Sequence, residues 1–206
     1  MHHHPPIPSQ EDIDALDTFE RLGLERIRLI ASPREAEAAC AALAAEPCLG
    51  FDTESRPTFR VGEVSDGPHI VQLATPEQAW IFQLHEPACR GPVAELLAQA
   101  TVTKAGFGLG DDRKRITTKL GREPAGVLEL NQVFRERGYR REMGVKAAVA
   151  VLFQRRFLKS KKAATSNWSA PRLSEAQLIY AANDAWAAIR VFHALGLATP
   201  QGRGAE

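Results

Sequence analysis

The sequence predicts an α/β domain with a mixed sheet flanked by helices. Three observations carry this. Short apolar or alternating runs are interleaved with longer segments of helical pattern. Two helix-start signatures, Ser32-Pro33-Arg34-Glu35 and Ser174 with Gln177, fix where helices open. Several strand-like runs come early and most helices late, as in a sheet with crossover connections rather than a bundle or sandwich.

Along the chain, Arg26–Ile30 alternates polar and apolar residues, as a half-buried strand does. The Ala-rich run from Ser32 to Ala45 is the first long helix. Cys48–Asp52 is a short apolar run ending in acids. His69–Ala74 and Gln78–Phe82 read as strands joined by a Thr-Pro-Glu turn. Glu95–Ala100 reads as helix, Val102–Phe107 as strand, Leu109–Leu120 as a basic helix and Val127–Leu130 as a short strand. Val145–Phe153 is an apolar helix, and a long one opens at Ser174 and runs to about Leu195. Residues 1–20 are expected to form a flexible or partly helical tail, 21–200 one domain, and 201–206 a loose end. His2–His4 lie in that tail, where no fixed geometry favours a metal.

Composition narrows the function. Hydrophobic residues make up 44% and charged residues 25%, which disfavours disorder and coiled coil. No run approaches about 18 apolar residues, so no membrane span is expected. Three cysteines without a CxxC pair suggest neither a disulfide framework nor a zinc ribbon, and a cytoplasmic location is the default. Net charge is +1 overall but unevenly spread: residues 1–100 carry −9 and residues 101–170 carry +10. That asymmetry fits either a basic surface for an anionic partner or a set of solvated helix faces.

Three acidic positions stand out. Asp52 and Glu54 end a predicted strand with i, i+2 spacing, which puts both side chains on one face. Adjacent carboxylates repel unless a proton or cation lies between them, and a hard divalent ion such as Mg²⁺ suits oxygen ligands. Asp111-Asp112 follows Gly106, Gly108 and Gly110 at a helix start, where an aspartate can also serve as a cap. The glycines form neither a dinucleotide fingerprint nor GxxxxGK[ST], so no nucleotide cofactor is implied. Tyr180 and Asp184 stand one turn apart on the last long helix. An acid in the apolar segment LIYAANDAWAAIRVF is costly if buried without a partner, and a metal would be one.

Together these segments resemble the tyrosine-bearing branch of the DEDD 3′–5′ exonucleases, the ribonuclease D and Werner-exonuclease-like proteins. FDTE at 51–54 resembles the first motif, Asp112 in KAGFGLGDDRKRI the second, and YAANDAWAA with Tyr-x-x-x-Asp spacing the third. Order and separation match as well, with 60 residues from Asp52 to Asp112 and 72 from Asp112 to Asp184. The resemblance implies a ribonuclease-H-like fold. It implies Asp52, Glu54, Asp112 and Asp184 as ligands of two divalent cations, Mg²⁺ or Mn²⁺, and Tyr180 as the residue that orients the attacking water. Asp111 is the rival for the second motif. Gly108 stands where proofreading relatives often carry Asn, which weakens a replicative-proofreading assignment.

The implied activity removes nucleoside 5′-monophosphates from the 3′ end of single-stranded nucleic acid or of a duplex. DNA is slightly favoured over RNA, because ribonuclease D relatives carry added helical domains for which 206 residues leave no room. Lys159, Lys161, Lys162 and Asn167 are the expected backbone contacts. Trp168 would stack on a base, or else serve as a core or hinge residue. Phe59 and Phe107 would wedge the terminal base or pack in the core. The rival classes are an inactive binding module of the same fold and a two-metal endonuclease. His69, His85 and His193 sit in no nucleophile motif, which disfavours triad hydrolysis.

Overall fold

This computed structural model describes residues 5–58 and 66–199. Phe59, His2–His4 and the expected C-terminal tail 201–206 lie outside the described residues. Six strands form one sheet: β1 (Ile27–Ile30), β2 (Cys48–Glu54), β3 (Ile70–Ala74), β4 (Ala79–Gln83), β5 (Thr103–Gly106) and β6 (Val127–Glu129). Their order is β1-β4-β3-β2-β5-β6. β2, β3 and β4 are an antiparallel meander; β1 runs parallel to β4, and β5 and β6 continue parallel to β2. All six predicted strands are present, and the sheet is mixed as expected.

The helices are α1 (Gln10–Asp14), α2 (Pro33–Leu43), α3 (Pro87–Leu97), α4 (Gly110–Leu120), α5 (Leu130–Glu136), α6 (Gly144–Phe153), α7 (Lys161–Ala164) and α8 (Glu175–Ala194). Two apolar clusters reflect the two sheet faces. Leu49, Phe51, Val71 and Phe82 pack with residues of α2 and α3. Ile70, Ala79 and Ile81 pack with α6 and α8. Successive residues of a strand face opposite sides, so this division follows from the pleat. The capping box predicted at α8 is complete, with Ser174 and Gln177 satisfying each other's backbone donors, whereas α2 shows only the serine half of its box. At α2, Ser32 accepts from Glu35 N with Pro33 in the first turn.

The segment expected as a tail holds a short helix and attaches to the body. Ile13 and Phe19 are buried, and Phe19 packs on Phe153 and Trp186. Asn183 of α8 pins the next stretch, accepting from Leu22 N at 2.8 Å and donating to Leu22 O at 3.2 Å. Among the described residues no helix is long and apolar enough to cross a membrane.

Helix α8 lies against β2, the strand that carries the first acids. Gly50 makes this approach possible: a Cβ there would stand 1.9 Å from the Ala185 carbonyl oxygen. Glycine removes the only atom that would hold helix and strand apart. The same contact sets Asp52, two residues along β2, near Asp184, one residue back along α8.

Candidate active site

Strand alternation puts Asp52 and Glu54 on one face, and the helical turn puts Tyr180 and Asp184 on the face of α8 that meets them. Carboxylate oxygens of Asp52, Glu54 and Asp184 lie within 4.8 Å of one another. Asp112, in the first turn of α4, is outside that group. It is tied to the same strand by a 2.8 Å hydrogen bond from Thr53 Oγ1. Its negative charge is felt by both Asp52 and Glu54. Asp111 is exposed and makes no such link. One carboxylate also sets the approach to α4: Glu129 accepts from Gly108 N at 3.1 Å and from Leu109 N at 2.7 Å. Gly108 adopts φ +72°, a conformation that favours glycine.

Electrostatically the site is starved of positive charge. Burial first, then the neighbouring Asp184, hold the Asp52 carboxyl well above the usual range. Burial and Asp52 push Glu54 up to about 9. Burial also raises Asp112 and Asp184, the latter despite an ion pair with Lys159. The Tyr180 hydroxyl is raised by burial and by Asp184, so it keeps its proton at neutral pH. The exception in sign is Lys159. Its Nζ is 2.7 Å from Asp184 Oδ2 and 5.2 Å from the centroid of the Tyr180 ring. Apart from that ion pair, Asp184 Oδ2 has no hydrogen-bond donor.

A donor set of hard carboxylate oxygens, buried and unable to ionise together comfortably, fits a divalent cation. One consequence is testable without activity. A carboxyl whose pKa is raised on folding binds more protons folded than unfolded, so stability falls as pH rises from its unfolded value towards its folded one. For Glu54 that window runs from about 4.5 to about 9. In EDTA, melting temperature should fall by about 5 °C between pH 6 and pH 8.5, equivalent to roughly 2 kcal/mol. Saturating Mn²⁺ should abolish the fall. A metal-free melting temperature that rises over this interval would contradict the charge balance described.

Two clefts meet at these residues. One, of about 320 Å³, is lined by Phe51, Asp52, Phe107, Asn131, Met143 and Asp184, among others. The other, of about 450 Å³, includes Phe19, Phe157, Leu158, Ile179, Tyr180 and Asp184. Lys159 borders both. Phe107 is half-buried, stacked on Phe134, with an edge on the first cleft. Asn131 shapes that cleft by accepting from Met143 N and Gly144 N at the start of α6 and donating to Glu142.

The expected nucleic-acid contacts separate into three kinds. Lys159 sits among the acids rather than on an outer surface. Lys161 and Lys162 are exposed on α7, and Asn167 is exposed with its side chain turned back to accept from Ser169 N and Oγ. Trp168 corrects the base-stacking expectation: it is 1% exposed, and its ring packs 5.9 Å from that of Tyr180. Its Nε1 donates to Ala164 O, so the polar edge is satisfied internally and no face is open to a base. It supports Tyr180 from behind.

A profile of the family described as 3′-5′ exonuclease matches residues 27–199. The chain belongs to that family. Among curated relatives, the bifunctional 3′-5′ exonuclease/ATP-dependent helicase WRN of Mus musculus is 27% identical over 151 residues, covering 72% of this chain and 11% of that protein. A 3′-5′ exonuclease of Arabidopsis thaliana is 25% identical over 149 residues, covering 71% of this chain and 52% of that protein. The chain therefore spans about half or less of the length of these relatives. Among solved structures, the Aedes aegypti Nibbler EXO domain superposes with a TM-score of 0.71 at 20% identity, covering 85% of this chain and 89% of that one. Escherichia coli RNase D gives 0.70 at 20% identity, covering 82% and 44%. The shared fold is the ribonuclease-H-like mixed sheet with flanking helices. The family is one of hydrolytic nucleases, and the Trypanosoma brucei RNase D structure, at 18% identity and a TM-score of 0.73 over 82% of this chain and 62% of that one, is a complex with RNA U12.

Proposed function

We propose that residues 21–200 form one exonuclease domain that hydrolyses the terminal phosphodiester at a 3′ end and releases nucleoside 5′-monophosphates. The observation that carries this is the meeting of Asp52, Glu54 and Asp184 beside the Tyr180 hydroxyl, on elements far apart in sequence. An inactive module of the same fold would have no use for such a costly cluster of buried acids.

Asp52, Glu54 and Asp184, with Asp112 beside them, would hold two divalent cations, Mg²⁺ or Mn²⁺. Bound there, the cations supply Lewis acidity for the attacking water and the departing 3′ oxygen. The remaining work falls to the chain. Tyr180, protonated and fixed between Asp184 and Trp168, holds the attacking water by a hydrogen bond and does not act as a base. The two clefts on either side of Asp184 receive the nucleosides flanking the scissile phosphate. Lys161 and Lys162 contact the strand's phosphates without reading sequence. Tyr180→Phe should retain Mn²⁺ affinity and lower kcat by about ten- to a hundredfold, the worth of one hydrogen bond to a polar reacting group. An unchanged kcat would remove the hydroxyl from the mechanism.

The substrate is single-stranded nucleic acid or the 3′ end of a duplex, with DNA slightly favoured over RNA. Matched DNA and RNA oligonucleotides labelled at the 5′ end, incubated with Mg²⁺, Mn²⁺ or EDTA, test this directly. A metal-dependent ladder shortening from the 3′ end is expected, and the two ladders rank the sugars. Cleavage of a closed circle would instead indicate an endonuclease. No cleavage by folded, metal-loaded protein would put the binding-module reading first.

A further inference from the structure

Lys159 carries more than a phosphate contact. Its side chain is 32% exposed, yet its ammonium reaches in to Asp184, whose side chain is 5% exposed. It also stands over the Tyr180 ring and exerts its charge on Asp52 and Glu54. It thus lies against the same carboxylates that the metal reading assigns as ligands. It is the only cation that the ion pairs place on any of those acids among the described residues. A divalent ion on Asp184 and Asp52 cannot share that position with an ammonium: like charges a few ångströms apart repel strongly even at the effective dielectric of a protein surface. The chain around Lys159 permits withdrawal. Residues 158–160 are in neither helix nor strand, Leu158 and Ser160 are exposed, and the lysine stem borders open clefts on both sides.

We propose that Lys159 is an internal counter-ion that keeps the metal-free site assembled, and that divalent cations displace it when they bind. The exchange rests on the metal-site reading above and adds a residue to it. In the metal-free protein, the Lys159–Asp184 pair holds α8 and the 157–160 segment together across the site. In the loaded protein the ammonium swings outward to the cleft mouth. Lys159 is therefore a positioning residue for the metal-free state, and metal affinity is set partly by the cost of evicting it.

Two readouts other than activity test this on the full chain. The first is Mn²⁺ binding by titration calorimetry to wild type, Lys159→Met and Lys159→Arg. The dissociation constant should tighten by about tenfold or more in Lys159→Met, because removing one unit charge beside a divalent ion is worth at least that much. Lys159→Arg should stay within about threefold of wild type, since it keeps the charge and much of the reach. The second is acetylation of lysines followed by mass spectrometry in EDTA or Mn²⁺. Lys159 should be protected without metal and become several-fold more reactive with it, while Lys161 and Lys162 remain reactive in both. Lys159→Arg also serves as the folding control if Lys159→Met is unstable without metal. Mn²⁺ that binds with an unchanged or weaker constant in Lys159→Met, or Lys159 that labels equally in both conditions, overturns the exchange and leaves the metal site standing. No Mn²⁺ binding to wild type or either variant overturns the site and the exchange together.

Discussion

Asp184→Asn should lower the rate of 3′-end hydrolysis by about a thousandfold or more, the scale seen when a preorganised charged group is removed from a reacting centre. The same change should not destabilise the metal-free protein. Asp184 is deeply buried, close to Asp52 and Glu54, and held above its ordinary pKa by burial. An amide of the same shape removes a carboxylate whose ionisation the site resists. Lys159 loses its 2.7 Å partner but keeps the field of Asp52. The two effects oppose, so the melting temperature in EDTA should stay within about 3 °C of wild type, roughly 1 kcal/mol for a chain of this size. What should disappear is stabilisation by Mn²⁺, because one of the oxygens within the 4.8 Å group no longer carries charge. A variant that keeps its cleavage rate, or that loses activity only because it unfolds in EDTA, would remove Asp184 from the catalytic role. Asp52→Ala is the matching test on the strand side, with the same loss of hydrolysis expected.

The strands were legible because their signal is local. Each is a run of apolar or alternating residues between turn formers, and burial within the sheet agrees with the pattern. Helix α3 was harder. The sequence suggested only Glu95–Ala100, whereas the helix opens at Pro87. Pro87, Gly91 and Pro92 read as breakers, yet Pro87 occupies the first turn, where its missing N–H costs nothing, and the helix continues through Pro92 in its interior. Helices α5 and α7 are seven and four residues long and carry too little periodicity to register. Their caps, Glu129 and Ser160, gain meaning only from the loops they close.

The candidate site was legible as four acids and a tyrosine because motif order survives in sequence. Between Asp111 and Asp112 the sequence offers only the resemblance, and the Thr53 hydrogen bond to Asp112 is a contact that the sequence does not record. Two features were not legible. Lys159 belongs to a run with Lys161 and Lys162, and nothing in KSKK says which lysine turns inward. Trp168 reads from sequence either as a base-stacking residue or as a core or hinge residue, and its burial depends on the packing of α7 and the chain after it beneath Tyr180. Both are decided by packing over long sequence separation, which periodicity does not record.

Among the described glycines, Gly50→Ala should be the most disruptive single methyl. The new Cβ would stand 1.9 Å from the Ala185 carbonyl oxygen and 3.0 Å from the Ile189 nitrogen, both backbone atoms of α8 that no rotamer can move aside. Helix or strand must shift, and overpacking of this kind costs about 3 kcal/mol. For a chain of this length the melting temperature should drop by about 6–12 °C. Gly110→Ala, in the first turn of α4, is the steric control: nothing lies within 4 Å of its Cβ, so the melting temperature should not fall. The Gly50 effect should reach the chemistry, because β2 and α8 hold opposite sides of the carboxylate cluster. Moving them apart by even about 1 Å would loosen the ligand set, so the folded fraction of Gly50→Ala should also show weaker Mn²⁺ binding and a lower kcat. A variant that is destabilised but, when folded, binds Mn²⁺ and cleaves as wild type does would mean that the site's geometry is set by Thr53, Asp112 and the α4 turn rather than by the contact of β2 with α8.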